Sequence, residues 1–170
     1  MEIPGIFIAA SFDDSARRAL CRTEEALRQQ YRIRCVRPEK LHVTLLYFGN
    51  VPSEALPRLK TLVTRTAAGW ERIPFTAKAP DLFGDVLVQH LDSAGRLEKL
   101  ALYLRAAAAG GGFAFDRKPF RAHVTYCYRF PAPLPDLPQV TGTLDRVQLL
   151  QSIRTPEGTV YEPLCTVELQ

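Results

Sequence analysis

The sequence predicts an α+β protein whose strands form antiparallel sheets. Predicted strands and helices are mixed in the order β-α-β-β-α-β-β-α-β-β-β, without the strict alternation of a doubly wound parallel sheet. Several neighbouring strands are joined by short turns, which suit antiparallel pairing. The length of 170 residues, of which 46% are hydrophobic, suits one domain or two small lobes that share a core.

The first half of the chain contains three predicted strands and two predicted helices. In order, these are a strand at 6–10, a helix from about 13 to 31, strands at 34–37 and 41–48, and a helix at 53–68. The strands are short, β-prone runs that end at Pro38 or Gly49, and the candidate N-caps of the first helix are Ser11, Asp13 and Asp14. Pro57 fits the second helix only in its first turn.

The second half adds five strands and one helix. These are strands at 75–83 and 86–91, a helix at 97–108, and strands at 120–128, 140–153 and from 158 onward. Gly84 marks the turn between the first two of these strands, and the glycine triplet 110–112 stops the helix. The prolines between 131 and 138 place that segment in a loop, because proline cannot join a central sheet.

Charge and targeting signals give weak expectations. The net charge is +4, from 22 basic and 18 acidic residues, which is a mild bias towards anionic partners. No apolar run reaches about 18 residues, and the first residues lack the pattern of a signal peptide, so a cytoplasmic protein without a membrane partner is expected. The cysteines at 21, 35, 127 and 165 form no C-x-x-C pair, so reduced, mostly buried thiols are expected.

One short motif occurs twice. Leu41-His42-Val43-Thr44 resembles Ala122-His123-Val124-Thr125, and each copy falls in a predicted strand. Because side chains alternate along a strand, each His shares a face with its Thr. One neutral and one protonated imidazole can transfer protons in pairs near neutral pH, and a Thr hydroxyl can donate to a phosphate oxygen. The repeat therefore predicts a phosphoester site that needs no metal or other cofactor.

Other interpretations of the histidines remain open. A lone His on a strand is usually structural, and His90, which has no Thr partner, is interpreted in that way. A metal hydrolase with His42, His90 and His123 as ligands is one rival hypothesis, although no H-E-x-x-H motif or carboxylate cluster supports it. The other rival hypothesis is a non-catalytic RNA-binding module that uses the same residues to hold a phosphate end.

At these motifs the sequence resembles the two-histidine (2H) phosphoesterase superfamily. It is most similar to the bacterial RNA 2′,3′-cyclic phosphodiesterases, the LigT-like or 2′-5′ RNA ligase family, whose H-x-T/S-x motifs match residues 42–45 and 123–126. The resemblance extends over nearly the whole chain, including the first strand at 6–10, the segment 118–120 and the tail at 147–164.

The resemblance implies a single domain, residues 1–170, made of two interleaved lobes. Two antiparallel sheets related by a pseudo-two-fold axis would surround a central cleft, with the helices outside. It further implies a monomer that opens the 2′,3′-cyclic phosphate of an RNA end or of a small cyclic nucleotide to a 2′-phosphate, with His42 as acid and His123 as base. Because some members join or cleave 2′-5′ linkages, a 2H phosphodiesterase acting on those linkages or on another small cyclic nucleotide is an alternative.

The remaining candidate residues depend on this resemblance. Thr44 and Thr125 would bind the phosphate. The family commonly has Arg five positions after the second His, where this chain has Tyr128, so the candidate phosphate ligand is Arg129, which would share the face of His123 on an unbulged strand. Arg121 is a second candidate.

Recognition of the terminal base and of the RNA backbone would use residues outside the two motifs. A terminal base usually stacks on an aromatic ring, and the candidates for nucleotide binding are Phe7, Phe48 and Tyr126, with Tyr128 near the same strands. A basic cluster between residues 32 and 40 either contacts RNA or is a solvated loop.

Overall fold

Seven strands and three helices form the fold in the computed structural model, which describes residues 1–131 and 133–170. In chain order they are β1 (Glu2–Phe12), α1 (Asp14–Tyr31), β2 (Val43–Pro52), α2 (Leu56–Ala67), β3 (Ile73–Phe83), β4 (Val86–Asp92), α3 (Arg96–Gly110), β5 (His123–Cys127), β6 (Val140–Thr155) and β7 (Gly158–Glu168). Short 3-10 turns occur at Pro38–Lys40 and Ser53–Ala55.

The strands form one antiparallel sheet in the order β2-β1-β6-β3-β4-β5, with β7 paired to β6. The 16-residue β6 belongs to both halves: Leu144 pairs with Phe12 of β1 on one side and with Ile73 of β3 on the other. The α+β class with antiparallel pairing is therefore confirmed. The two sheets expected from the sequence are joined into one, because β6 is long enough to pair with strands of both halves.

The three helices and the sheet share one hydrophobic core. Alternate residues of β1, such as Ile6 and Ile8, belong to this core, whereas Phe7 belongs to a small separate cluster that includes Leu150 and contacts Tyr161. The alternation of β1 therefore separates the core from the surface on which the site lies.

Helix α1 begins at its predicted cap and packs closely on β6. Asp13 accepts a hydrogen bond from the backbone N–H of Ala16 at 2.8 Å, as an N-cap should. A Cβ added to Gly142 would lie 2.5 Å from the Cβ of Ala16, so only glycine allows this approach.

Within residues 1–131 and 133–170, each helix is too short or too polar to span a membrane.

The strand predicted at 34–37 does not form. It is reduced to an isolated bridge between Cys35 and Cys127, and the N–H of Val36 donates to the carbonyl of Tyr126 at 2.6 Å. Pro38, which has no N–H and begins the 3-10 turn, prevents further pairing. The described strands thus number seven instead of the predicted eight.

The bridge between Cys35 and Cys127 contradicts the expectation that the four cysteines are reduced thiols. Cys35 and Cys127 are directly opposite in the bridge, with their Cα atoms 4.0 Å apart, and they form a disulfide. The expectation of reduced thiols is therefore wrong for this pair. Cys21 and Cys165 are free and half-buried.

Candidate functional site

His42 lies between the 3-10 turn and β2, and both of its ring nitrogens have partners. Its Nδ1 is 2.7 Å from the carbonyl oxygen of Lys40, and its Nε2 is 2.9 Å from Oγ1 of Thr44. The ring packs against Phe7 and Tyr161, with ring centroids 5.4 Å away in each case.

His123, the first residue of β5, is held in the same way. Its Nδ1 is 2.6 Å from the carbonyl oxygen of Arg121, and its ring packs on Phe83 at 4.8 Å. In both motifs the imidazole therefore donates from Nδ1 to the carbonyl two residues earlier. This bond leaves Nε2 as the basic atom of each neutral ring, so the two motifs present equivalent proton-transfer groups.

The two motifs approach one another across a cavity of about 570 Å³. His42, Thr44 and Thr125 all line this cavity, which we call the histidine cavity, and β2 and β5 are neighbours in space without pairing. His123 is not itself a lining residue but lies two residues before Thr125 on the same face of β5. Its positive charge is close enough to lower the pKa of His42.

Burial is the main cause that lowers the pKa of both histidines. The hydrogen bond to the carbonyl of Lys40 or of Arg121 acts in the opposite direction, and nearby positive charges lower both pKa values further. Both imidazoles are therefore neutral at neutral pH. A bound anion would raise their pKa values, because it stabilises the charged form of an imidazole.

Of the predicted nucleotide-binding aromatic residues, Phe7 and Tyr128 line the histidine cavity. Phe48 is 8% exposed and packs on Phe113 in the core. The β1–β2 ladder is irregular before Phe48, since Ala9 pairs with Thr44 while Ile8 pairs with Leu46, and the extra residue places Tyr47 instead of Phe48 on the face of Thr44.

Tyr126 is also a core residue. It has no exposed surface, and its hydroxyl donates to Oε1 of Gln89 at 2.7 Å. The alternation of β5 gives the reason, because Tyr126 lies on the face opposite His123 and Thr125. The structure therefore contradicts Phe48 and Tyr126 as residues that stack on a base.

The structure also separates Arg129 from the two motifs. β5 ends at Cys127, and Arg129 follows in a left-handed conformation with φ of 52°. The unbulged strand on which its prediction depended does not extend so far, and Arg129 lines a neighbouring cavity. Arg121 is closer to the second motif, with its guanidinium 4.6 Å from the centroid of the Phe83 ring.

Two residues next to the histidines were not predicted as part of the site. Tyr161 of β7 contacts His42, and only the long β6–β7 hairpin brings it there. His90, interpreted from the sequence as structural, is the Cα partner of His123 in the β4–β5 ladder, and its Nε2 lies 2.8 Å from Oδ2 of Asp81. Among the described residues, no three His, Cys, Asp or Glu side chains are grouped to hold a metal ion.

The sequence matches known proteins over most of its length. The family model described as "2′-5′ RNA ligase superfamily" matches residues 13–155. The RNA 2′,3′-cyclic phosphodiesterase of Thermotoga maritima is 25% identical over 83% of this chain and 82% of its own length. The protein of the same description from Archaeoglobus fulgidus is 28% identical over 96% of this chain and 99% of its own.

Solved structures agree with these relatives. TT0787 of Thermus thermophilus superposes with a TM-score of 0.82 and 26% identity, over 99% of this chain and 98% of that one. E. coli LigT in its apo form has the same TM-score, with 22% identity over 99% of each chain, and supports the fold alone.

Proposed function

The chain belongs to the 2′-5′ RNA ligase superfamily, and from this premise we propose that it hydrolyses the 2′,3′-cyclic phosphate of an RNA end or a nucleoside to a 2′-phosphomonoester. One observation carries the proposal. Two H-x-T motifs, 81 residues apart in the chain, hold their imidazoles by the same Nδ1 hydrogen bond, and each motif contributes residues to one cavity: His42 and Thr44 from the first, Thr125 from the second.

The reaction needs two proton transfers at one phosphorus atom. A water molecule forms a new bond to phosphorus and gives its proton to Nε2 of His123, while the bond between phosphorus and the 3′ oxygen breaks. That oxygen takes a proton from Nε2 of His42, which leaves the phosphate on the 2′ oxygen. Exchange of one proton with solvent then resets the pair.

The neighbouring hydroxyls and the substrate itself support these roles. Thr44 and Thr125 donate to the non-bridging oxygens, where negative charge is held during the displacement. Oγ1 of Thr44 lies 2.9 Å from Nε2 of His42, so its hydroxyl is held beside the imidazole and turns to the phosphate when the substrate binds. The negative charge of the phosphate also favours the protonated form that His42 needs as an acid.

Product analysis tests the proposal. RNA with a 2′,3′-cyclic end, and separately a nucleoside 2′,3′-cyclic phosphate, would be incubated with the protein in excess EDTA, and the position of the product phosphate determined by NMR. We expect a 2′-phosphate from both substrates. Binding without turnover would favour the RNA-end binding module, and turnover abolished by EDTA would favour the metal hydrolase.

A second candidate activity is cleavage or formation of 2′-5′ linkages, which the description of the family favours. The leaving group in the same site would then be a separate nucleoside, whereas in opening of the cyclic phosphate the 3′ oxygen stays attached to the product. Incubation with a 2′-5′-linked and a 3′-5′-linked dinucleotide distinguishes the two activities, because only the 2′-5′ dinucleotide should be cleaved.

The proposal also covers the location and the oligomeric state of the protein. We propose a cytoplasmic monomer, to be checked by light scattering and by fractionation.

A further inference from the structure

A second and larger cavity, of about 1010 Å³, opens beside the histidine cavity. The two cavities have Val36, Lys40, Tyr128 and Tyr161 in common, so they form one continuous depression. The second cavity, which we call the basic groove, lies between the end of α1, the segment 33–40 and the β6–β7 turn. A nucleotide end bound at His42 would therefore have open space on this side.

The basic groove carries an excess of positive charge. It is lined by Arg28, Arg34, Arg37, Lys40 and Arg129, against two carboxylates, Glu24 and Glu157. Glu24 already forms a salt bridge to Arg28, with 3.1 Å between its Oε1 and the Nε of Arg28. In the described part of the chain, the other four basic side chains form no salt bridge.

The positive charges lie close enough to repel one another. The pKa of Lys40 is lowered first by burial and then by the charge of Arg37, with a smaller effect of Arg34. Lys40 and Arg37 donate to the carbonyl oxygens of Thr159 and Glu157, which hold the side chains at the wall but do not neutralise them. A phosphodiester would relieve this repulsion, because each phosphate places a negative charge among them.

Aromatic rings lie where the two cavities meet. Tyr128 is 49% exposed and lines both cavities, and Tyr161 contacts His42 on one side and has the Lys40 ammonium 5.5 Å from its ring centroid on the other. A groove of basic side chains with accessible rings is the usual arrangement for binding single-stranded nucleic acid, in which rings stack on bases and cations follow the backbone.

We propose that the basic groove binds the RNA strand that continues in the 5′ direction from the cyclic end, with a base on Tyr128 and backbone phosphates at Arg34, Arg37 and Arg129. The natural substrate is then a single-stranded oligoribonucleotide rather than a mononucleotide. This inference depends on the proposed function, since the cyclic end must lie in the histidine cavity.

The test compares two substrates in each protein. The value of kcat/KM is measured for a cyclic-ended pentaribonucleotide and for a nucleoside 2′,3′-cyclic phosphate, and their ratio is the readout. We expect wild type to prefer the pentanucleotide, and the double variant Arg34→Gln/Arg37→Gln to lower the ratio at least about tenfold. The dependence of log kcat/KM on log salt for the pentanucleotide should also become shallower by about 0.7 for each phosphate that the variant groove no longer binds.

A matched control separates the groove from overall charge. Arg65→Gln/Arg72→Gln removes the same charge at exposed positions that line neither cavity, and its ratio should equal that of wild type. Turnover of the mononucleotide shows that each variant is folded. An unchanged ratio in the groove variant, or no preference for the pentanucleotide in wild type, would overturn the inference, whereas the proposed function fails only if wild type turns over neither substrate.

Discussion

Replacing His42 by asparagine removes the reactive nitrogen and keeps the hydrogen bond that holds the loop. The amide nitrogen of the new side chain would lie near the position of Nδ1, where it can still donate to the carbonyl of Lys40, which is 2.7 Å from Nδ1 in the native chain. No atom then occupies the position of Nε2. The same reasoning applies to His123→Asn, with the carbonyl of Arg121 as acceptor.

The expected loss follows from the single function removed. A general acid or base contributes about 10²–10⁴-fold, so each variant should lose that factor in kcat/KM, or about 2.7–5.4 kcal/mol of transition-state stabilisation. Because both groups act in one displacement, the double variant should lose little more than the worse single variant, and not the product of the two factors.

The assay is turnover of a nucleoside 2′,3′-cyclic phosphate in EDTA, with thermal unfolding as the check that the loop is retained. Either single variant within about tenfold of wild type, with an unchanged unfolding midpoint, would refute the paired-histidine mechanism. A loss of activity that parallels a loss of stability would show instead that the histidine is structural.

Further predictions concern the metal, the pH profile and the core. Thorough chelation should leave kcat/KM unchanged, as measured before and after dialysis against EDTA. The pH profile of kcat/KM should be bell-shaped and peak below about 6.5, because burial lowers the pKa of both His42 and His123 from that ordinary value. His90→Gln should leave the maximal rate near that of wild type. It should move the acidic limb of the profile to higher pH, because it removes a charge that lowers the pKa of His123, the base. An unmoved acidic limb would contradict an effect of His90 on the pKa of His123. Tyr126→Phe should lower the free energy of unfolding by about 1–3 kcal/mol in urea titrations, because Oε1 of a buried Gln89 loses its donor, with kcat/KM unchanged. Gly142→Ala should destabilise by about 1–3 kcal/mol by overpacking against α1, and a neutral result would show that the helix can move away.

The histidine pair could be predicted because its signal is local. The H-x-T pattern fixes which side chains share a face, and two copies in a chain with three histidines point to one site. The structure adds that the Nδ1 bond to the carbonyl two residues earlier is also a local property of the motif, present at both His42 and His123.

Residues beyond the motifs were mistaken where the alternation of a strand is interrupted or ends. The bulge between Thr44 and Leu46 reverses the faces of β2 before Phe48, and the left-handed Arg129 lies beyond the last residue of β5. Neither irregularity has a mark in the sequence as strong as a glycine or proline. Tyr126 is a different case, because alternation alone would have excluded it.

Tyr161 and His90 were missed because long-range pairing places them in the site. Tyr161 contacts His42 only because β7 pairs with β6 along the edge opposite β1, and His90 is next to His123 only through the register of β4 on β5. Register between distant strands depends on the whole sheet, which no short segment of the sequence specifies.

The long strand β6 has a consequence for how the chain is made. Neither half of the sheet is complete without it, since β1 and β3 both need residues of Val140–Thr155 as partners. A ribosome makes these residues only after β1 to β5, so the earlier strands have unpaired edges until β6 has been synthesised. Folding should therefore be a single late event, in which closure of the sheet and assembly of the site occur together.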